Sequence, residues 1–304
     1  MDVKKMGAPE SVVVPRKFGR NDKITFRCHP GVSCFTACCR SIRINLTPYD
    51  IYRLVKRLGV SYDEFLREYT EPRSIDGTPL PIPSIKLRDD EERTCPFVTP
   101  EGCTVYTDRP ATCRYYPVGM AIMKHYEKPV GEDFFILIKE DHCKGHEEDR
   151  VWTIGEWRED QGSDRYDEIN QDWMEVVLKA KSLGMVEFGK RSLDLFFMVS
   201  SNLDMFRKFV VESDFLKTYR IDDATRDRIL GDDMELLRFS LRWLRWVMFG
   251  EGDFQVSEEA QARAAARRKR QAEARKKELK EREARAAAEL ERERKRRAEM
   301  RGKT

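Results

Sequence analysis

Residues 95–117 read CPFVTPEGCTVYTDRPATCRYYP, and the rest of the chain can be read outward from this stretch. Apolar residues on either side of Thr99-Pro-Glu-Gly102 predict strands over 95–98 and 103–106, joined as a hairpin across the Pro/Gly turn. Asp108-Arg-Pro-Ala then predicts a short helix through Cys113, with proline in the first turn where no N–H is needed. Three cysteines, Cys95, Cys103 and Cys113, are therefore expected at the ends of short elements. Five more lie nearby in sequence, in Phe26-Arg-Cys28-x5-Cys34-x3-Cys38-Cys39 and in Asp141-His-Cys143-Lys-Gly145. All eight precede residue 144, and four fall within residues 28–39. Scattered core cysteines do not cluster in this way.

Compartment decides what clustered cysteines do. The start has Val12–Val14 as its only apolar run, too short for the core of a secretory signal. No stretch approaches the roughly 18–20 apolar residues that a membrane span requires. The expected location is the cytoplasm, where thiols stay reduced and disulfides are disfavoured. The remaining reading is metal. Thiolates are soft anions that bind zinc or iron tightly, and four of them complete a tetrahedral zinc or an iron–sulfur cluster, such as 4Fe-4S. One ion held by all eight would concentrate negative charge with nothing to neutralise it. Either two sites of four cysteines, or one cluster with four thiols in other roles, fits the count. Cys38 and Cys39 are adjacent, and neighbours in an extended segment point to opposite sides, so they can serve different sites. Zinc ribbons prefer C-x2-C knuckles, which are absent here, and this favours an iron–sulfur cluster over zinc. The radical-SAM pattern C-x3-C-x2-C fails, because Ser41 stands where its third cysteine would be. There is no glycine-rich nucleotide loop after a strand and no H-E-x-x-H helix.

The predicted fold class is α+β: a small cysteine-rich metal domain of short strands and helices, then a helical subdomain, then a long charged C-terminal helix. Residues 1–23 read as a flexible arm with a short strand at Val12–Val14. The metal domain spans 24–150. Within it Ile42–Leu46 alternates like a strand, and Thr47-Pro-Tyr-Asp50 opens a helix that ends at Gly59. Ser61 starts a second helix. Residues 70–84 hold four prolines and read as a loop, followed by strands at Ile85–Leu87 and Phe134–Lys139. Residues 151–252 lack proline and show helical periodicity, with helices expected over 192–197, 204–211 and 232–249 and on the face carrying Tyr166, Ile169, Trp173 and Val177. Residues 257–304 are nearly all Ala, Arg, Glu and Lys. Their large apolar residues, Leu279, Leu290 and Met300, keep no heptad spacing, so a single charged helix or a disordered tail is expected rather than a coiled coil.

The charge is unevenly placed. Residues 257–304 carry 18 Lys and Arg against 10 Asp and Glu, which leaves 39 against 44 in residues 1–256. The formal charge of +3 thus joins a mildly acidic body to a basic tail. An acidic body is not built around nucleic acid. With Glu interleaved in the tail, nucleic acid is expected to find only a weak hold there, and no membrane partner is expected. A protein partner or substrate is open.

The two cysteine blocks, with Leu46-x3-Asp50-x2-Arg53-Leu54 between them, resemble the YkgJ-type cysteine-cluster proteins, the CxxCxxCC zinc- or iron-chelating family. The resemblance covers about residues 24–147. It departs in the first block, where spacings of five and three replace two and two. The family is distantly similar to the flagellin lysine-N-methylases, which carry an iron–sulfur cluster. The resemblance thereby implies redox or protein-modifying chemistry as one role, and a structural-zinc interaction module without catalysis as the alternative.

The candidate metal ligands are Cys28, Cys34, Cys38, Cys39, Cys95, Cys103, Cys113 and Cys143. Arg109 and Arg114 flank Cys113 and are candidates to donate hydrogen bonds to the bound group, or simply to cap helices. With eight thiolates present, His29, His142 and His146 are not needed as ligands. No catalytic base, nucleophile or substrate pocket is legible, so catalysis is open.

Overall fold

The structure is a computed structural model that describes residues 12–13, 16–122, 133–184 and 188–301. In chain order the elements are β1 Val12–Val13, β2 Lys23–Thr25, α1 Pro48–Leu58, α2 Tyr62–Tyr69, β3 Thr70–Ser74, β4 Pro81–Ile85, β5 Val98–Thr99, β6 Gly102–Cys103, α3 Ala111–Tyr115, β7 Val118–Ile122, β8 Asp133–Lys139 and β9 Val151–Thr153. They continue with α4 Ile154–Gln161, α5 Ser163–Ser182, α6 Lys190–Ser201, α7 Leu203–Glu212, α8 Phe215–Thr218, α9 Asp223–Gly231, α10 Asp233–Phe249 and α11 Glu258–Arg301. The α+β class with a helical C-terminal part is the class expected from the sequence. No described helix is long and apolar enough to cross a membrane.

The local signals act as written. Thr47 accepts the Asp50 amide while the Asp50 carboxylate accepts the Thr47 amide, a reciprocal capping box, and Gly59 closes α1 in the left-handed conformation. Ser61 caps α2 through the Glu64 amide. The predicted helices of 192–197, 204–211 and 232–249 are α6, α7 and α10, each within a few residues of its expected ends. Of the arm, β1 is present, while Val14 lies outside the described residues.

Several expectations change. Residues 70–84 form a β-hairpin rather than a loop, with Pro72 opposite Pro83. Bonds at the two ends of the ladder set its phase: Lys86 donates to Tyr69 and Ile75 to Leu80, so by antiparallel alternation Pro72, Pro81 and Pro83 fall in the pairs that need no ladder donor. Ile42–Leu46 is extended but makes only a bridge, Asn45 to Ser84, because its neighbour β4 offers few amides. The strand expected at Ile85–Leu87 ends at Ile85, and that of 103–106 shortens to Gly102–Cys103 before a 3-10 turn at Tyr106–Asp108. β2, β7 and β9 escaped the sequence reading, as did the short helices α8 and α9.

The chain divides into two compact units, Met1–Phe209 with Asp223–Asp253, and Val210–Asp222 with Phe254–Thr304. In the first, β1, β8 and β7 form an antiparallel sheet, and β2 pairs with β9. A core of Phe18, Ile24, Phe26, Val118, Phe135, Leu137, Ile154 and Trp157 fills the space around these strands, with Tyr116 and Cys143 packed against it. Burying a side chain such as Phe26 contributes about 2–3 kcal/mol. The helical half is not a separate body. Tyr49 donates its amide to buried Asn170 on α5 at 3.2 Å, and Asn202 donates to Asp63 at 2.7 Å. In the second unit Tyr219 bridges Val256, and Ser257 caps α11 through the Ala260 amide at 3.2 Å. α11 then runs 44 residues, about 66 Å.

Candidate metal centre

The first cysteine loop is tied down at both ends. Phe26 donates its amide to Arg150 and Arg27 to Gly145, both at 2.9 Å, which fixes the chain just before Cys28. Between Cys28 and Cys39 the chain makes successive turns, passes through Thr36 in the left-handed conformation (φ 65°), and enters a 3-10 turn at Ala37–Cys39. The Cys39 carbonyl accepts the Cys95 amide at 2.8 Å, joining the two cysteine blocks directly. Phe35 lies over Gly102, where an added Cβ would stand 3.3 Å from its ring and φ is +126°. Only glycine fits both demands, so the β5–β6 hairpin carrying Cys103 seats against the first loop.

Cys113 is positioned by α3, whose first amide, that of Ala111, donates to the Asp50 carboxylate at 2.8 Å. Cys143 follows β8 and opens a 3-10 turn. The next amide, of Lys144, donates to the Cys34 sulfur at 3.1 Å. Gly145 permits this approach: a Cβ there would meet Phe26 at 2.7 Å and the Arg27 carbonyl oxygen at 2.9 Å. All eight cysteines are free thiols.

Electrostatics sort the thiols into two neighbourhoods. Burial pushes Cys28 up to about 11, and charge on Cys38, Cys34 and Cys143 adds to it. Cys143 is raised by burial, with Cys34 and Cys38 adding. On the other side burial raises Cys113, and Cys95, Cys38 and Cys103 reinforce it. Cys95 is likewise raised by burial and then by Cys103. Cys103 is raised by burial, and Arg109 opposes the shift. Cys38 stands between the groups. A hydrogen bond from the Cys39 thiol lowers Cys38 to about 7 and raises Cys39, on which Cys95 and Cys113 also act. Cys28, Cys34 and Cys143 thus lie on one side, Cys39, Cys95, Cys103 and Cys113 on the other, and Cys38 neighbours both.

The thiols are neighbours without being converged. Among the described residues no three His, Cys, Asp or Glu side chains are set to hold one ion. The donor chemistry nevertheless suits a thiophilic metal. The eight thiols share one region, and the buried Tyr116 hydroxyl lies against the Cys143 sulfur.

The two arginines differ. Arg109 stacks on Tyr106 at 3.9 Å, donates to the Tyr106 carbonyl at 2.6 Å and to Gln161, and its charge acts on Cys28 and Cys103. Arg114 points to the helices instead: it donates to the carbonyls of Gln161, Thr107 (2.9 Å) and Arg109 (3.4 Å), and packs over Tyr166 at 4.3 Å. His29 accepts the Gly31 amide at Nδ1 and meets Glu148 through Nε2 at 3.0 Å, so both nitrogens are engaged. His146 uses Nε2 on the Ile138 carbonyl at 3.2 Å, and His142 lies 3.5 Å from Glu140. Sequence reasoning missed the second role of Asp50 and the approach at Gly145. The capping box pointed to Asp50 but carried no sign of Ala111.

Free thiols from five separate segments are thus neighbours in one region of the fold. Residues 27–147 match the model of the family described as "CxxCxxCC: Putative zinc- or iron-chelating domain", a span that contains all eight cysteines. No curated protein and no solved structure matches the chain.

Proposed function

We propose that the protein holds metal at two four-thiolate sites, one formed by Cys28, Cys34, Cys38 and Cys143 and the other by Cys39, Cys95, Cys103 and Cys113. The observation that supports this division is how the segments meet: the turn of Cys143 is tied to the Cys34 sulfur through the Lys144 amide, and the Cys39 carbonyl accepts the Cys95 amide, with the mutual influence of the thiols running the same way except at Cys38. Cys38 acts on thiols of both groups and is assigned to the smaller one because it brings that group to four thiolates. A thiophilic ion displaces thiol protons and removes the repulsion among sulfurs, so binding draws the loops together as it occurs.

We read the bound group as an iron–sulfur cluster. Such a group supplies one-electron transfer when bound, and redox or protein-modifying chemistry is the role this reading carries. The residues that would tune it are Lys144, whose amide already donates to the Cys34 sulfur, and Arg109, whose charge opposes the rise of Cys28 and Cys103.

A second reading has its own support. The ligands tie the first loop, the hairpin, α3 and the turn after β8, and zinc binding across those segments would serve as a structural staple for a protein-interaction module. One measurement separates the two. Protein purified without oxygen is assayed for iron, acid-labile sulfide and zinc, with its visible spectrum. Iron, sulfide and broad absorbance near about 400 nm are expected. A colourless protein with stoichiometric zinc would establish the staple, and a metal-free protein with disulfides would sink both.

A further inference from the structure

The charges of α11 are less evenly interleaved than its overall composition suggests. From residue 260 to 277 there are eight Lys and Arg and a single carboxylate, Glu273, and between 260 and 272 there is none. Arg263, Arg267, Arg268, Lys269 and Arg270 occupy that acid-free stretch. Every residue from 261 to 277 is exposed. Among the described residues, Arg267, Arg268, Lys269 and Arg270 have no ion-pair partner, while Arg263 reaches Glu259 only at 3.9 Å.

The segment is presented, not loose. Ser257 caps the helix start, Ala260 is buried, and the Ser257 hydroxyl donates to the Lys217 carbonyl at 2.8 Å. Where α11 passes α8 it leaves a concavity lined by Asp214, Thr218, Ala260, Arg263, Arg267 and Arg268. Its one carboxylate, Asp214, already pairs with Lys217 at 3.1 Å. Three guanidinium groups therefore face a hollow whose only anion is engaged.

The chemistry of the rest of the face selects the partner. Between 261 and 277 the apolar residues are all alanines. A membrane surface requires Leu, Phe or Trp on the opposite side of a cationic helix, and a protein groove requires large apolar anchors at i, i+3, i+4 spacing. Neither is present. A phosphodiester backbone asks for neither: it is held by cations, above all by the planar fork of arginine, and a helix slimmed by alanine can enter a nucleic-acid groove. We infer that residues 261–277 of α11 bind the phosphate backbone of a nucleic acid, without base-specific readout.

The test uses the full chain purified with its metal. A fluorescein-labelled single-stranded RNA oligonucleotide, the corresponding DNA duplex, a labelled polyglutamate peptide and phosphatidylserine vesicles are titrated between about 50 and about 200 mM salt. Expected is binding of RNA or DNA with a log–log salt slope of roughly −4, as neutralisation of about five phosphates requires. The stronger of the two nucleic-acid arms identifies the natural source of the backbone. The variant with Arg267→Gln, Arg268→Gln, Lys269→Gln and Arg270→Gln should lose about tenfold or more in affinity and reduce that slope. Glutamine keeps the helix, which circular dichroism checks. The control with Lys280→Gln, Arg282→Gln and Arg285→Gln, where glutamates alternate with cations, should lose less than about threefold. The proposal is overturned if neither nucleic acid binds at the lowest salt, if polyglutamate or vesicles bind as tightly as either nucleic acid, or if the two variants behave alike.

Discussion

The Asp50 carboxylate accepts the amide of Ala111, 61 residues further along the chain, at 2.8 Å, while its other oxygen accepts the Thr47 amide at 2.8 Å. One fully buried side chain therefore caps two helices, α1 and the α3 helix that carries Cys113. Removing it by Asp50→Ala leaves two donors without partners and should destabilise the protein by about 3 kcal/mol. Urea unfolding measures the loss, and a change within error would show that water replaces the carboxylate.

The same residue predicts a pH dependence. Burial lifts the Asp50 carboxyl from an ordinary 3.8 to about 6, against the pull of the Thr47 and Ala111 amides. Between those values the folded chain keeps a proton that the unfolded chain has lost. The stability it contributes is present below about pH 4 and is lost as pH rises through about 6. A shift of this size corresponds to about 3 kcal/mol. Urea midpoints of metal-free wild type and Asp50→Asn on either side of that window should show the decline in the wild type alone; parallel curves would exclude it.

Cys28 and Cys38 both reach solvent at the residue surface, with their sulfurs partly desolvated, but differ in proton affinity. The Cys39 thiol donates to Cys38 and holds it at about 7, whereas burial and the neighbouring thiols hold Cys28 at about 11. In the metal-free reduced protein Cys38 should be the first cysteine alkylated by iodoacetamide near neutral pH. Peptide mapping by mass spectrometry decides, and earlier labelling of Cys28 would contradict the shared proton.

If the thiols divide as proposed, Cys28→Ser and Cys113→Ser act on different sites. Each variant should retain about half of the metal, and the double variant almost none. Elemental analysis of the three proteins is sufficient. Total loss from either single variant would instead indicate one joint site.

The two arginines beside Cys113 should also separate. Arg114→Lys removes the planar fork that reaches the carbonyls of Gln161, Thr107 and Arg109, and should reduce stability by about 2–4 kcal/mol with metal content retained in the folded protein. Arg109→Gln should leave stability closer to wild type and shift the visible spectrum or reduction potential of the bound group, because its charge acts on Cys28 and Cys103. Identical behaviour of the two would remove the distinction.

What could be read in advance was local. Thr47 and Asp50, Gly59 and Ser61 punctuate helices through contacts three or four residues away, and the Pro-Glu-Gly turn before Cys103 signals its own hairpin. The hairpin of 70–85 was hidden because proline normally argues against strands, and only the register, with Pro72 facing Pro83, makes it compatible. β2 could not be read because its partner β9 lies more than a hundred residues away. The cysteines themselves were plain. Which thiol neighbours which was not, since it depends on Cys39 meeting Cys95 and Lys144 meeting Cys34 through folded chain.

The paired prolines of the β3–β4 ribbon have a consequence for crowding. An exposed strand invites another chain to extend it through its outward amides. At Pro72, midway along β3, that amide does not exist, and on β4 Pro81 and Pro83 lack theirs while the Pro83 carbonyl is taken by the Leu46 amide. The ribbon is therefore a poor template for a second copy, a built-in guard against edge-to-edge association.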